Sequence, residues 1–284
     1  LAVPVERPDG TPLDRLGADD FEVFENGVLQ PIAYFGSSDV PVDLVLMLDT
    51  SGSMAAHLPV TRTAAVELMK ALGPRDRVAV VAFGTRTDVM LPFTGARAAV
   101  EAAIRRIRIG GTTALYDALY ITLRQFGVRS AQSAFRRRAM VVLTDGDDTT
   151  SLMGFDAVLD EARRAGIAIF MVGLREGQDP AARRFSQLTY EIRTLARETG
   201  ARHFFPADQT ELRAVYQSIA SELTHQYALA YVSPNAGPDH DRAAYRRVLV
   251  SVDEPGPGVV VRTRLGYIST SPASPTSPVA PAAD

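Results

Sequence analysis

Between residues 41 and 225, short unbroken apolar runs alternate with longer stretches in which apolar side chains recur every three or four positions. The runs Leu44–Leu48, Arg77–Phe83, Met140–Leu143, Ile167–Val172 and His203–Phe205 are bounded by Gly, Pro or Asp. They are too uniformly apolar to leave one face in water, which predicts strands covered on both faces. The periodic stretches predict helices at Thr61–Leu72, Arg97–Ile107, Leu115–Phe126, Phe155–Ala165, Ser186–Glu198 and Gln209–Leu223. Gly73-Pro74 supplies a stop after the first, and Asp156 places an acid at the start of the fourth. Strands alternating with helices imply βαβ crossovers and a doubly wound, mostly parallel sheet flanked by helices.

The flanks follow a period of two. Residues 1–40 carry β-like pieces at Phe21–Phe24 and Val28–Phe35, and Asn26-Gly27 between them is a two-residue hairpin signal. After Tyr227 come Tyr227-Ala-Leu-Ala-Tyr-Val, Arg247-Val-Leu-Val-Ser-Val and Val259-Val-Val-Arg-Thr-Arg-Leu, which read as an antiparallel unit. A lone hairpin is marginal in water, so residues 1–40 and 226–268 are expected to form one small all-β domain, with the α/β domain of residues 41–225 inserted between its halves. Residues 269–284 are rich in Ser, Pro and Ala and read as a disordered tail.

Composition removes several classes of chemistry. The 284 residues contain no Cys, so thiol nucleophiles, Cys-ligated zinc and iron–sulfur clusters are out. A net charge of −3 gives no field favouring nucleic acid. The apolar runs fall far short of the ~20 residues that a membrane-spanning helix needs. The histidines His57, His203, His225 and His240 have no zinc-motif spacing, and neither a nucleophile elbow nor a phosphate-binding Gly-Lys loop occurs.

Ligands of a doubly wound sheet bind beyond the carboxyl ends of its strands. Asp49-Thr50-Ser51-Gly52-Ser53 follows the first apolar run, and its i, i+2, i+4 spacing lets a tight loop turn one carboxylate and two hydroxyls to a common centre, with Gly52 easing the backbone. Thr144-Asp145-Gly146-Asp147-Asp148 follows the third run, and Gly110-Gly111-Thr112-Thr113 lies between them. Taken singly, these loops read as a helix cap, a turn and a second cap. Together they offer two carboxylates and three hydroxyls, a hard-oxygen set suited to Mg²⁺, Mn²⁺ or Ca²⁺.

This combination resembles the von Willebrand factor type A domain and its metal-ion-dependent adhesion site. The match falls on Asp49, Ser51, Ser53, Thr113 and Asp145, with Thr112 as the alternative threonine. Gly52, Asp147, Asp148 and His57 are further candidates around them. Asp19-Asp-Phe-Glu-Val-Phe-Glu-Asn-Gly and Tyr227-Ala-Leu-Ala-Tyr-Val-Ser-Pro-Asn are similar to flanks in a bacterial group of secreted, VWFA-related proteins. The resemblance implies a non-enzymatic module that binds a divalent cation, Mg²⁺ foremost, through which it bridges to an Asp or Glu carboxylate of a protein partner. It also implies a secreted, periplasmic or cell-envelope setting, and a last helix, Gln209–Leu223, whose shift accompanies partner engagement.

Two other readings use the same residues. A scaffold or assembly subunit would carry the site idle. A metal-dependent phosphohydrolase of the haloacid-dehalogenase type would need a second Asp two residues after the first, where this chain has Ser51. Arg136-Arg-Arg before the third run reads as an exposed turn.

Overall fold

A computed structural model of the chain describes residues 1–37, 40–127, 136–145, 148–174, 187–235, 244–253 and 258–269. The expected tail from residue 270 and the candidate Asp147 lie outside them. The chain opens with short strands β1 (Ala2–Val3), β2 (Val5–Glu6), β3 (Phe21–Glu25), β4 (Val28–Gln30) and β5 (Ile32–Gly36). It then builds its central sheet from β6 (Val42–Asp49), β7 (Arg77–Phe83), β8 (Thr87–Thr94), β9 (Arg137–Thr144), β10 (Ala168–Gly173) and β11 (His203–Phe204).

The sheet order is β11-β10-β9-β6-β7-β8, parallel except for the antiparallel edge strand β8. Between the strands run α1 (Leu58–Ala71), α2 (Arg97–Arg106), α3 (Leu115–Phe126), α4 (Phe155–Ala165), α5 (Gln187–Thr199) and α6 (Gln209–Thr224). Side chains alternate across the sheet. Leu44, Leu46 and Leu48 of β6 enter one core with α1, α2 and α6, whereas Val45 and Met47 enter the other with α3, α4 and α5. Burial on both faces is why these strands are continuous apolar runs.

The apolar pattern did not predict β8. It sits at an edge, its residues are only partly buried, and Pro92 interrupts it, so it lacks the signature of its neighbours. The charged residue inside β6, Asp43, is buried and held by Arg77 at 2.9 Å and Arg136 at 2.6 Å. Arg136 also donates to the Arg75 carbonyl at 2.7 Å, so it is a structural partner at the base of the sheet and not the exposed turn expected.

Strands from both chain ends pair with one another. β3 pairs antiparallel with β13 (Tyr245–Val252), and β12 (Tyr227–Tyr231) lies between β1 and β5. β14 (Val260–Val261) pairs with β2, and β15 (Gly266–Ile268) with β13. Two expectations need correction. The piece Val28–Phe35 is broken at Pro31, with β4 pairing to β3 while β5 crosses to β12. β12 and β13 belong to different sheets, so the strands after Tyr227 are not one meander. The Asn26-Gly27 hairpin stands, with φ of 50° and 83°, the left-handed pair that such a turn requires. Val3, Val5, Phe21, Val23, Tyr227, Leu229 and Val250 form the apolar centre of these sheets.

The α/β part and the antiparallel sheets are joined by charge as well as by chain. Glu222 near the end of α6 is buried, yet Arg262 reaches it at 2.8 Å and Glu6 of β2 at 2.9 Å. Burial still pushes the Glu222 carboxyl above the usual glutamate range, against the pull of Arg262.

Candidate metal centre

β6 and β9 are neighbours in the middle of the sheet, and the chain leaves β6 for β7 on one side while β9 lies on the other. Such a point leaves a crevice beyond the carboxyl ends of the strands. Asp49 is the last residue of β6 and Asp145 follows the last residue of β9, so the two strand ends bring together carboxylates 96 positions apart in the sequence.

Asp49 is wholly buried. Its Oδ1 accepts the Ser51 N–H at 2.8 Å and its Oδ2 accepts the Thr144 hydroxyl at 2.6 Å. Burial pushes the Asp49 carboxyl above its usual range, and the Thr144 and Ser51 hydrogen bonds oppose that shift. The Ser51 and Ser53 hydroxyl oxygens lie 3.1 Å apart, and Ser53 Oγ donates to Asp145 Oδ1 at 2.8 Å. Hydrogen bonds therefore lead from Asp49 through the Ser51 amide and the Ser51 and Ser53 hydroxyls to Asp145.

The Asp-x-Ser-x-Ser segment does not cap the helix that follows. His57 occupies the N-cap position of α1 with no side-chain capping bond, and the Ser51 hydroxyl is turned to Ser53. His57 lies beside Leu174, Pro206 and Asp208, toward the start of α6.

The Gly-Gly-Thr-Thr loop is stitched to this centre by its backbone. Gly52 N–H donates to Gly111 O at 3.2 Å, and Gly110 N–H to Thr50 O at 2.8 Å. Thr113 is buried, and its backbone exchanges hydrogen bonds with Thr149 in the Asp145 loop at 2.9 and 3.2 Å. Thr112 turns elsewhere, its hydroxyl lying 3.2 Å from Thr85 Oγ1 and 3.1 Å from Thr150 Oγ1. The geometry separates the two threonines: Thr113 is buried beneath the loops, while Thr112 belongs to an outer hydroxyl cluster.

Two further candidates have structural duties. Asp148 accepts the Tyr116 N–H at the start of α3 and the Ser151 N–H, both at 2.9 Å, so it caps a helix end from a distant loop. Gly52 is not the strained glycine, since the nearest atom to a Cβ there is Gly111 O at 3.9 Å. Gly111 has φ of +90°, and its added Cβ would collide with the Thr85 hydroxyl. Sequence reasoning missed Thr144, Thr85 and Thr149. Only Thr144 carried a signal, its position at a strand end directly before Asp145.

Among the described residues no three His, Asp or Glu side chains gather in a metal-binding group. The oxygen cluster is of another kind, with one buried carboxylate, one partly exposed carboxylate and hydroxyls between them. Such donors fit a hard divalent cation, and the buried Asp49 is a charge that a cation would compensate.

The family model described as the von Willebrand factor type A domain matches residues 43–218. Inter-alpha-trypsin inhibitor heavy chain H4 from Homo sapiens is 24% identical over 269 residues, covering 87% of this chain and 28% of that protein. The chain matches about a quarter of the length of the curated relatives it resembles. A solved von Willebrand factor type A structure from Catenulispora acidiphila aligns with a TM-score of 0.54 at 16% identity, covering 95% of this chain and 73% of that one. Proximal thread matrix protein 1 from the mussel byssus, with a zinc-occupied MIDAS motif, aligns with a TM-score of 0.54 at 16% identity, covering 70% of this chain and 50% of that one.

Proposed function

Because the chain belongs to the von Willebrand factor type A family, we propose that Asp49, Ser51, Ser53, Thr113 and Asp145 hold a divalent cation through which the protein grips a carboxylate of a protein partner. Domains of this family serve protein–protein adhesion and assembly, and some carry a metal in a MIDAS motif. The observation that carries the reading is the hydrogen bond from Ser53 to Asp145 at 2.8 Å, with Ser51 3.1 Å from Ser53, because it draws the two loops into one oxygen cluster.

Two carboxylates would formally neutralise a divalent cation and the hydroxyls would add no charge, so a cation held here, with a coordination position left open, would supply a Lewis-acidic point at which an Asp or Glu from outside could bind. The chain's own residues do the rest. Thr144 and the Ser51 amide orient Asp49, Ser53 orients Asp145, and the Gly111 turn holds the threonine loop against Gly52. Mg²⁺ is the cation we favour, with Mn²⁺ and Ca²⁺ satisfied by the same oxygen chemistry. The reading is non-enzymatic: the site binds and does not turn over. We place it in a secreted, periplasmic or cell-envelope bacterial protein, on the similarity of its flanks to secreted VWFA-related proteins. Among the described residues no helix is long and apolar enough to cross a membrane.

α6 runs into β12 within three residues and is tied through Glu222 and Arg262 to β2. That linkage supports the idea that a shift of α6 on partner engagement reaches the antiparallel sheets.

The test is retention of the protein on immobilised, C-terminally amidated peptides that carry Asp or Glu, beside the same peptides carrying Asn or Gln. Retention on the acidic peptides in Mg²⁺ that EDTA abolishes supports the proposal. Equal retention on both sets, or retention indifferent to EDTA, overturns it.

A further inference from the structure

The parallel strands point their carboxyl ends at the Asp49–Asp145 centre, and a second recess opens near their amino ends, where the close of α5 meets β13. It encloses about 620 Å³. Val250, Val261 and Leu265 supply its apolar lining, and Arg193, Arg197, Arg202 and Arg262 its charge. Among the described residues that line it there is no Asp or Glu. Arg202 and Arg262 share the buried Glu222, at 3.9 and 2.8 Å. Arg193 and Arg197 stand one turn apart on α5, both exposed. Burial, together with the charges of Arg193 and Arg202, holds the adjoining His203 below its ordinary value, in keeping with a positive recess.

Leu249 connects this recess to a second hollow, lined by Phe24, Tyr245 and Arg247. It is 60% exposed and pairs across β13–β3 with Phe24, which pairs in turn with the 57% exposed Leu29 of β4. Directly opposed residues share a face, so three apolar side chains form a row over three strands. Glu198, next to Arg197, is paired with Arg163 at 3.2 Å, and Glu22 of β3 accepts from Ser251 at 3.1 Å. Leu249 and Leu29 stand exposed on either side of the partly buried Phe24, and adjoining exposed apolar side chains are the kind of surface that interaction sites use. A row that leaves the recess and crosses three strands suits an extended chain, and Arg193 and Arg197, which form no ion pair among the described residues, select its charge at one end.

We propose that this surface docks a segment of a polypeptide partner that combines apolar side chains with Asp or Glu, the apolar groups lying over Leu249, Phe24 and Leu29 and the carboxylates at Arg193 and Arg197. It is independent of the metal centre, so the experiment is run in EDTA to silence cation-bridged binding. Fluorescence anisotropy of the full chain is measured with a labelled peptide alternating Leu and Asp, and with the same peptide carrying Asn for Asp or Ser for Leu. The expected result is saturable binding of the Leu/Asp peptide alone, weakened about tenfold or more by the double variant Arg193→Glu/Arg197→Glu and by Leu249→Ser. All three positions are exposed, and an unchanged circular dichroism spectrum shows that the variants fold. Equal binding of the Asn peptide, no binding by the parent, or a concentration-dependent dimer that Leu249→Ser abolishes overturns the proposal. The last outcome would assign the surface to a second copy of the chain.

Discussion

Thr144 donates its hydroxyl to Oδ2 of Asp49 at 2.6 Å, across the β9–β6 pair, with both residues wholly buried. The bond fixes the rotation of the carboxylate at the deepest point of the crevice, and it joins the strand that supplies one aspartate to the loop that supplies the other. Replacing Thr144 by Val keeps the shape and removes the donor. Leaving a buried acceptor unsatisfied costs about 1–3 kcal/mol. Urea unfolding of Thr144→Val is expected to show a loss of that size, and a midpoint equal to the parent's would count against the role given to this bond.

Gly111→Ala places a Cβ at φ of +90° and against the Thr85 hydroxyl. A left-handed backbone costs an ordinary residue roughly 1–2 kcal/mol before any collision is added. The variant is expected to lose stability by at least that amount and to lose cation affinity as well, because the loop it distorts is bonded to Gly52. Gly52→Ala has room for its Cβ and should change stability much less. Thermal unfolding of the two variants side by side checks the contrast.

Glu25 is buried among Tyr231, Ser233, Asn235 and Tyr267, all donating to it within 2.9 Å. Burial alone would raise its carboxyl, but the four hydrogen bonds outweigh it and hold the group below the ordinary glutamate value of 4.5. The folded state therefore stays ionised to lower pH than the unfolded chain. Its contribution to stability is complete above pH 4.5 and is lost as pH falls through the depressed value. Glu25→Gln should destabilise the protein at neutral pH by about 1–3 kcal/mol and flatten the decline in acid. Denaturant unfolding from pH 7 to 3 measures both effects, and an unchanged acid slope would contradict them.

Arg262 joins Glu222 of α6 to Glu6 of β2. Removing one partner of a buried ion pair costs about 3–5 kcal/mol, since the other charge is stranded. Arg262→Met is expected to approach that range in chemical unfolding. A loss below about 1 kcal/mol, typical of exposed pairs, would show the network to be a surface contact.

How far the sequence could be read follows from which forces are local. β6, β9 and β10 each contain an unbroken apolar run because helices cover both faces, and burial leaves its mark residue by residue. Leu115–Phe126 and Phe155–Ala165 are the helices expected to the residue, their apolar spacing undisturbed. β8 was hidden because an edge strand with Pro92 need not be apolar. β4 and β5 looked like one strand because only Pro31 separates two pieces that pair with different partners. Asp49, Ser51, Ser53 and Asp145 were legible as oxygen donors at strand ends. The duties of Thr144, Thr85 and Asp148 were not, since each depends on a residue brought close only by folding.

If the loops after β6 and β9 form one cation site, a divalent cation stabilises the fold through residues of both. Thermal unfolding in EDTA and then in millimolar Mg²⁺, Mn²⁺ or Ca²⁺ tests it most directly, on the parent and on Ser53→Ala and Asp145→Ala. A ligand that binds only the folded state stabilises it by about 2.7 kcal/mol at a hundredfold excess over Kd. A cation-dependent rise of the parent's midpoint is expected, which both variants lose while each still unfolds cooperatively in EDTA. A midpoint that no cation moves, or a rise that persists undiminished in both variants, would contradict it.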